Sequence, residues 1–180
     1  MENTYSMTIA GLKRDLKLCA IDNTIDIAAF IIFGDVELTV AASEALLGRA
    51  PEFDVIMTPE AKSIPLAYEM ARQSGKSYVV ARKSKKLYMT NPVGVEVQSI
   101  TTSKLQNLYI GEEEAEKLRG KRVLVVDDVI STGDSLNAVE KLVNEAGGEI
   151  VASCAILAEG DAAKRDDIIF LEPLPLFFKV

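Results

Sequence analysis

The sequence predicts an α/β fold, an open and mostly parallel sheet with helices on both faces. Three observations predict it. From residue 53 onward, short apolar strands alternate with stretches of helical spacing. One strand, Arg122 to Asp128 (RVLVVDD), is apolar through its middle, as expected of a strand covered on both sides. The chain has 180 residues with no internal repeat, low-complexity tract or long linker, which points to one domain.

Taken in order, MTIAGL and RDLKLCAI read as two short strands about Lys13, with Asp22 and Asn23 at the following turn. Asp35 to Leu47 places Val36, Val40, Leu46 and Leu47 at roughly helical spacing, and Gly48 is a stop signal. Phe53 to Met57 is a strand. Ile64 to Arg72 is a helix with Ile64, Leu66, Ala67, Met70 and Ala71 on one side and Gly75 at its end. Ser77 to Ala81 and Arg122 to Asp128 are the next strands. Asp134 to Ala146 is a helix carrying Leu136, Val139, Leu142 and Val143, closed by Gly147-Gly148. Glu149 to Leu157 is a further strand. Residues 84–109 do not fit the alternation. With Pro92 and Gly94 inside, they read as a mobile flap holding a β pair, VGVEVQSI with KLQNLYI.

Composition narrows the chemistry. Hydrophobic residues make up 48% and charged residues 26%, which suits a globular protein and not a disordered one. There is no histidine, so a Ser-His-Asp triad, a Cys-His pair and histidine-based zinc or iron sites are all excluded. Cys19 and Cys154 form no C-x-x-C and read as small hydrophobes in a reducing, cytoplasmic setting. The net charge of −7 argues against a general nucleic-acid binder. The longest apolar run, Ile27 to Phe33, is far short of the about 20 residues that a membrane helix needs. MENTYSMTIAG carries no secretory pattern, so no membrane or export role is expected.

The informative stretch is VLVVDDVISTGDSL, Val123 to Leu136. A buried strand runs into Asp127 and Asp128, then a small-residue turn, then a helix. Ligands of open α/β sheets bind beyond the carboxyl ends of the strands, which is where the two carboxylates stand. Neighbours on a strand point to opposite sides, so the pair is not a two-carboxylate acid/base device. Ser131, Thr132, Gly133, Asp134 and Ser135 open the following helix. Backbone N–H groups there lack intrahelical partners and suit a phosphate; Gly133 permits close approach, and three hydroxyls add donors. No P-loop and no dinucleotide fingerprint occurs. Two carboxylates beside a phosphate cradle suggest a sugar phosphate.

VLVVDDVISTGDSL resembles the phosphoribosyl pyrophosphate signature of the type I phosphoribosyltransferases. The resemblance implies that Asp127 and Asp128 hold the ribose hydroxyls and that Ser131 to Ser135 wrap the 5′-phosphate. TPEAKSIPLA, Thr58 to Ala67, is similar to the pyrophosphate loop of the purine branch, with Glu60, Ala61, Lys62 and Ser63 in the matching places and Ser63 where Gly is common. Arg82-Lys83-Ser84-Lys85-Lys86 resembles that branch's R-K-x-x-K, which binds pyrophosphate partly across a dimer interface. Arg82, Lys83 and Lys85 are the implied contacts. IIFGDV resembles the V-V-F-R-D-I of adenine members, which implies Ile32, Phe33 and Gly34 at the base, with Gly34 in the place of Arg. Glu159 matches a Glu of several purine members and is implied at the base site. FLEPLPLFF resembles the adenine members' closing segment.

The resemblance implies a single domain: a hood of residues 1–50 and 159–180, a core of 51–158 and a flap of 84–109. It implies transfer of ribose 5-phosphate from phosphoribosyl pyrophosphate to a purine, with Asp127, Asp128, Arg82 and Lys83 carrying the chemistry. Mg²⁺ would travel with the donor, with Asp127 reaching it through water, and the protein would be a homodimer. The ends of the chain favour an adenine enzyme. The Ser/Thr-rich flap, with Thr101 where adenine members carry a Glu, is closer to xanthine phosphoribosyltransferase and the purine-operon repressor of Gram-positive bacteria. A xanthine, guanine or hypoxanthine enzyme and a regulator that senses the donor without catalysis are the alternatives.

Overall fold

A computed structural model describes residues 3–98 and 105–179. The chain begins with strands β1 (Thr4–Ile9), β2 (Leu12–Ala20) and β3 (Ile25–Ala29), then helix α1 (Val36–Leu47). It continues through β4 (Val55–Pro59), α2 (Ile64–Ser74), β5 (Ser77–Ala81) and the pair β6 (Val93–Gln98) and β7 (Leu105–Ile110). Next come α3 (Glu112–Leu118), β8 (Arg122–Ile130), α4 (Asp134–Glu145) and β9 (Glu149–Glu159). A 3-10 helix (Gly160–Lys164), β10 (Ile169–Leu174) and β11 (Leu176–Phe178) follow.

Five strands form a parallel sheet in the order β10-β9-β8-β4-β5. Its two faces bury different halves of the same strands. Val55, Met57, Val123 and Val125 join α3 and α4 in one core; Ile56, Leu124 and Val126 join α1 and α2 in the other. That alternation is the period-2 geometry of a strand, and it explains why β4 and β8 read as unbroken apolar runs. The expected α/β architecture with helices on both faces is therefore present, and β8 lies at its centre.

Local signals act where they stand. Asp35 caps α1 by accepting a hydrogen bond from the Leu38 N–H at 3.1 Å. Pro65 opens the first turn of α2, and Gly75 closes the helix in the left-handed conformation. The first hairpin turns at Ala10-Gly11, not at Lys13, which lies inside β2 opposite Thr8. The sequence reading had no element for α3. Its seven residues bury just Ala115 and Leu118, too few to register as a periodicity.

The hood is smaller than the expected 1–50 and 159–180. It is an antiparallel sheet in the order β1-β2-β3-β11. Helix α1 packs on α2, and β10 pairs in parallel with β9, so both belong to the core. The flap's β pair is present as β6 and β7, whose Val95, Leu108 and Ile110 pack into the core beside α4. Ser99 to Lys104, Thr101 included, lie outside the described residues. No helix among the described residues is long and apolar enough to cross a membrane.

The junction of α4 with β9 is tightly filled. A Cβ on Gly148 would sit 2.9 Å from Val123 Cγ2 and Val143 Cγ1 and 3.2 Å from the Leu118 carbonyl. Those side chains are buried and have no room to retreat. Gly148→Ala is therefore expected to destabilise the fold by about 1–3 kcal/mol. A urea midpoint equal to that of the parent protein would contradict this packing.

Candidate active site

The site grows from the carboxyl end of β8. Asp127 and Asp128 are 8% and 3% exposed. They part as successive residues of a strand do. Asp127 lines a cavity with the following loop, and Asp128 Oδ2 lies 2.9 Å from Lys62 Nζ, from the loop after β4. That ion pair lacks hydrogen-bond geometry, so Oδ2 is buried without a hydrogen bond. Asp127 Oδ1 accepts the Asp128 N–H at 2.8 Å. Burial and the neighbouring Asp128 charge push the Asp127 carboxyl well above the usual carboxylate range, and Lys62 opposes them weakly.

The loop between β8 and α4 forms a cradle of about 140 Å³. Ser131, Thr132, Gly133, Asp134 and Ser135 all line it, together with Asp127 and Gln106. Gly133 (φ +85°) stands at the N-cap without a capping side chain. The dipole of α4 favours an anion at this end of the helix. Thr132 Oγ1 accepts the Asp134 N–H at 3.4 Å.

The loop of residues 60–63 is tied down at both ends. Ser63 is buried, and its Oγ donates to the Pro59 carbonyl at 3.0 Å. Thr58 Oγ1 lies 2.8 Å from Ser63 Oγ and 2.9 Å from the Val126 carbonyl, which fixes the loop to β8 one residue before Asp127. Ser63 therefore supports the loop from inside. The Glu60-Ala61 peptide is cis. Glu60 accepts from Arg82 Nε at 3.0 Å and from the Lys83 N–H at 3.1 Å, and the Arg82 guanidinium holds its carboxyl below the usual range. Arg82 also exchanges two backbone hydrogen bonds of 2.8 Å with Tyr109 of β7. The run of cations thus begins at the joint between β5 and the flap. Lys83 is exposed beside Glu60. Lys85 lies 5.5 Å over the Tyr109 ring and lines a separate hollow with Gly94 and Glu96, so the structure does not bring it to the loop of residues 60–63.

A second cavity, about 350 Å³, opens beside the acidic pair. Ile27 to Ile31, Lys62, Val129, Ser131, Glu159 and Leu174 line it. Glu159 is half-buried, and desolvation raises its carboxyl above the usual range. The structure brings Glu159 here but not Ile32, Phe33 or Gly34. Ile32 is buried in the core, and the turn from Ile32 to Asp35 swings Phe33 into solvent at 53% exposure. Arg14 fixes that turn from β2, with Nε and Nη2 at 2.6 and 2.9 Å from the Asp35 carboxylate. Ile32 and Gly34 line instead an apolar groove of about 400 Å³ with Val36, Pro65, Tyr68 and Tyr78. The segment a few residues earlier, Ala28 to Ile31, lines the cavity beside Glu159.

Ser131 lines both cavities and also a third, of about 640 Å³, with Thr132, Glu159 and Arg165. Gln106 and Arg165 had no signal in the sequence, because neither lies near the motif in the chain. Among the described residues no three Asp, Glu, Cys or His side chains gather closely enough to hold a metal ion. The hard oxygens of Asp127 and Asp128, one of them without a hydrogen bond, fit Mg²⁺ held mainly by a ligand's own oxygens and water.

A parallel sheet with an acidic pair, a cationic loop and an anion cradle beyond its carboxyl ends places the chain among the α/β proteins that bind ligands across the ends of their strands. The phosphoribosyl transferase domain model matches residues 40–174, and the chain belongs to that family. It is 40% identical over 109 residues to adenine phosphoribosyltransferase of Thermotoga petrophila, covering 60% of each chain. It is 36% identical over 132 residues to that of Rhodococcus jostii, covering 70% of this chain and 69% of the relative. The match thus spans about 60% of the length of the Thermotoga relatives. Adenine phosphoribosyltransferase of Thermoanaerobacter pseudethanolicus superposes with a TM-score of 0.67 at 25% identity, over 79% of this chain and 84% of that one. The Saccharomyces cerevisiae enzyme, complexed with an imino-altritol bisphosphate and adenine, superposes at 0.66 and 17% identity over 94% and 92%; at that identity it speaks for the fold.

The raised Asp127 carboxyl has a thermodynamic consequence. The folded protein keeps this proton to higher pH than the unfolded chain, whose Asp titrates near 3.8. Stability therefore falls as pH rises from that value through the folded one. Asp127→Asn keeps the acceptor for the Asp128 N–H and removes the buried charge. It is expected to stabilise the protein at neutral pH by about 0.5–2 kcal/mol and to flatten its pH dependence. Thermal melts from pH 5 to 8 test this, and a variant less stable than the parent at pH 8 would contradict it.

Proposed function

We propose that the protein is a purine phosphoribosyltransferase acting on adenine. It transfers ribose 5-phosphate from phosphoribosyl pyrophosphate to a purine ring nitrogen, giving a nucleoside monophosphate and pyrophosphate. One observation carries this reading: the buried pair Asp127-Asp128 stands between an anion cradle, a cationic loop and a second cavity, and Ser131 borders both cavities. Phosphate, diphosphate and base then have separate compartments around one pentose. The adenine phosphoribosyltransferases at 36–40% identity support the choice of base.

The reaction replaces a C–O bond at the anomeric carbon with a C–N bond through an oxocarbenium-like state. Positioning and charge do most of the work. Asp127 and Asp128 accept hydrogen bonds from the ribose hydroxyls, and the loop of residues 131–135 with the α4 N-terminus holds the 5′-phosphate. Lys62, Arg82 and Lys83 meet the charge that builds on the departing diphosphate. Mg²⁺ on that diphosphate would lower its charge and so ease its departure. The hood backbone from Ala28 to Ile31 flanks the base, with Glu159 at its edge. The flap excludes water, which would otherwise hydrolyse the donor.

We place the reaction in the cytoplasm, where Cys19 and Cys154 stay reduced, as both are in the structure. We further propose a homodimer. An apolar groove lined by exposed Val36, Val40 and Tyr68 is a surface that a second copy would cover.

Incubation with donor and Mg²⁺ and each of adenine, guanine, hypoxanthine and xanthine tests the reading. AMP is the expected product. Another nucleotide reassigns the base, and donor binding without any product makes the protein a sensor. Asp127→Asn with Asp128→Asn should abolish turnover in a folded protein; near-normal activity would remove the pair from the ribose site. Thr132→Val should weaken donor binding by about 1–3 kcal/mol through an unmet phosphate hydrogen bond. Sedimentation equilibrium at micromolar concentration should show twice the chain mass, and a monomer would refute the dimer.

A further inference from the structure

Among the described residues that line the cradle there is no lysine or arginine, and Asp127 at its floor is a buried carboxylate. Backbone N–H groups and the α4 dipole supply about half an elementary charge against a phosphate dianion. A cation stands on the other side of the loop. Arg165, the residue after the 3-10 helix, lines the large cavity together with Ser131 and Thr132. It comes so near that a Cβ on Gly133 would sit 3.0 Å from its Nη1.

The guanidinium is held there. Asp167 binds two of its nitrogens, with Nε to Oδ1 at 2.8 Å and Nη2 to Oδ2 at 2.7 Å, and Nη1 is the nitrogen turned to Gly133. Glu140 on α4 is a further carboxylate whose charge it feels. The nearness also adds a reason for a glycine at residue 133 beyond its φ of +85°, since any side chain there would meet the guanidinium.

We infer that Arg165 is a positioning residue for the 5′-phosphate loop: its guanidinium backs Gly133 and adds positive potential to that of the α4 N-terminus. The inference rests on the assignment of this cradle to the 5′-phosphate. Arg165 acts through the loop and through space, on affinity for the phosphorylated pentose rather than on the bond exchange at the anomeric carbon. Part of the effect is long-range, so salt screens it. Asp167 holds the side chain in place but also neutralises it, so the two residues have opposite effects on a bound anion.

Calorimetric titration with ribose 5-phosphate and with pyrophosphate tests this on the full chain, beside steady-state kinetics. Arg165→Gln should weaken ribose 5-phosphate binding about fivefold at low salt and raise the donor KM alike, with kcat within about twofold. Pyrophosphate affinity should not move, and Arg165→Lys should recover most of the loss. Asp167→Asn should bind ribose 5-phosphate at least as tightly as the parent. Equal losses in Arg165→Gln and Asp167→Asn would make the pair a structural clasp and overturn the inference. So would an unchanged Arg165→Gln in a protein that Thr132→Val weakens, and the phosphate reading would then survive. A parent protein that does not bind ribose 5-phosphate at millimolar concentration would sink that reading and the inference with it.

Discussion

The structure depends on one constraint: two carboxylates stand near the end of a strand that is buried on both faces. β8 lies between β9 and β4, and each residue from Val123 to Asp128 is buried. Apolar neighbours stabilise the first four and penalise the last two, because a charge withdrawn from water costs several kcal/mol unless something compensates it. The compensation here is partial: one backbone N–H to Asp127 and one lysine beside Asp128. A ligand that brings hydroxyl donors to both oxygens would complete it. The central strand thus carries its instability at the point where binding relieves it, which is the usual relation between stability and function.

The parts around the pair are fixed to β8 and, through the flap, to one another. Thr58 and Ser63 fix the cationic loop to the Val126 carbonyl. The cradle follows Asp128 directly in the chain, and α4 carries it. The flap hairpin packs its apolar side on α4, while Gln106 of the same hairpin borders the cradle. Backbone bonds between Tyr109 and Arg82 join the flap to the start of the run of cations. A shift of the hairpin would therefore act on the cradle and on the start of the run of cations together.

Much of this was legible in the sequence because it is local. The strand, acidic pair, small-residue turn and helix from Val123 to Leu136 are contiguous, and each signal in them is short-range: apolar run, hydroxyls, glycine, helical spacing. The same holds for Ser77 to Ala81, expected as a strand and found over those residues. The failures involve partners distant in the chain. IIFGDV was read from its likeness to a segment that lines a base site. The turn after Ile32 is fixed by Arg14, which lies well upstream on β2, and the motif does not encode that contact. The resemblance that places residues 159–180 in the hood does not encode the pairing of β10 with β9. The resemblance that groups Lys85 with Arg82 and Lys83 does not encode the Tyr109 ring, packed over Gly94, above which Lys85 lies.

The two sides of the site are built differently, and the difference bears on what each can recognise. The cradle is made of backbone N–H groups and hydroxyls on a helix start, all within a few residues. The second cavity lies between the hood and the end of β9, walled by the apolar segment from Ala28 to Ile31 and by Leu174, with Glu159 and Lys62 as its charged groups. Apolar walls contribute affinity for a flat ring without distinguishing one purine from another. Discrimination must come from groups that would be left unpaired by the wrong base, since a buried unmet hydrogen bond costs more than a made one contributes. Backbone groups of the hood and the Glu159 carboxyl are the candidates, and burial already biases that carboxyl toward its protonated form. On the proposed reading, choice of base would therefore reside in the hood and the end of β9, and the pentose chemistry in β8 and the loops fixed to it.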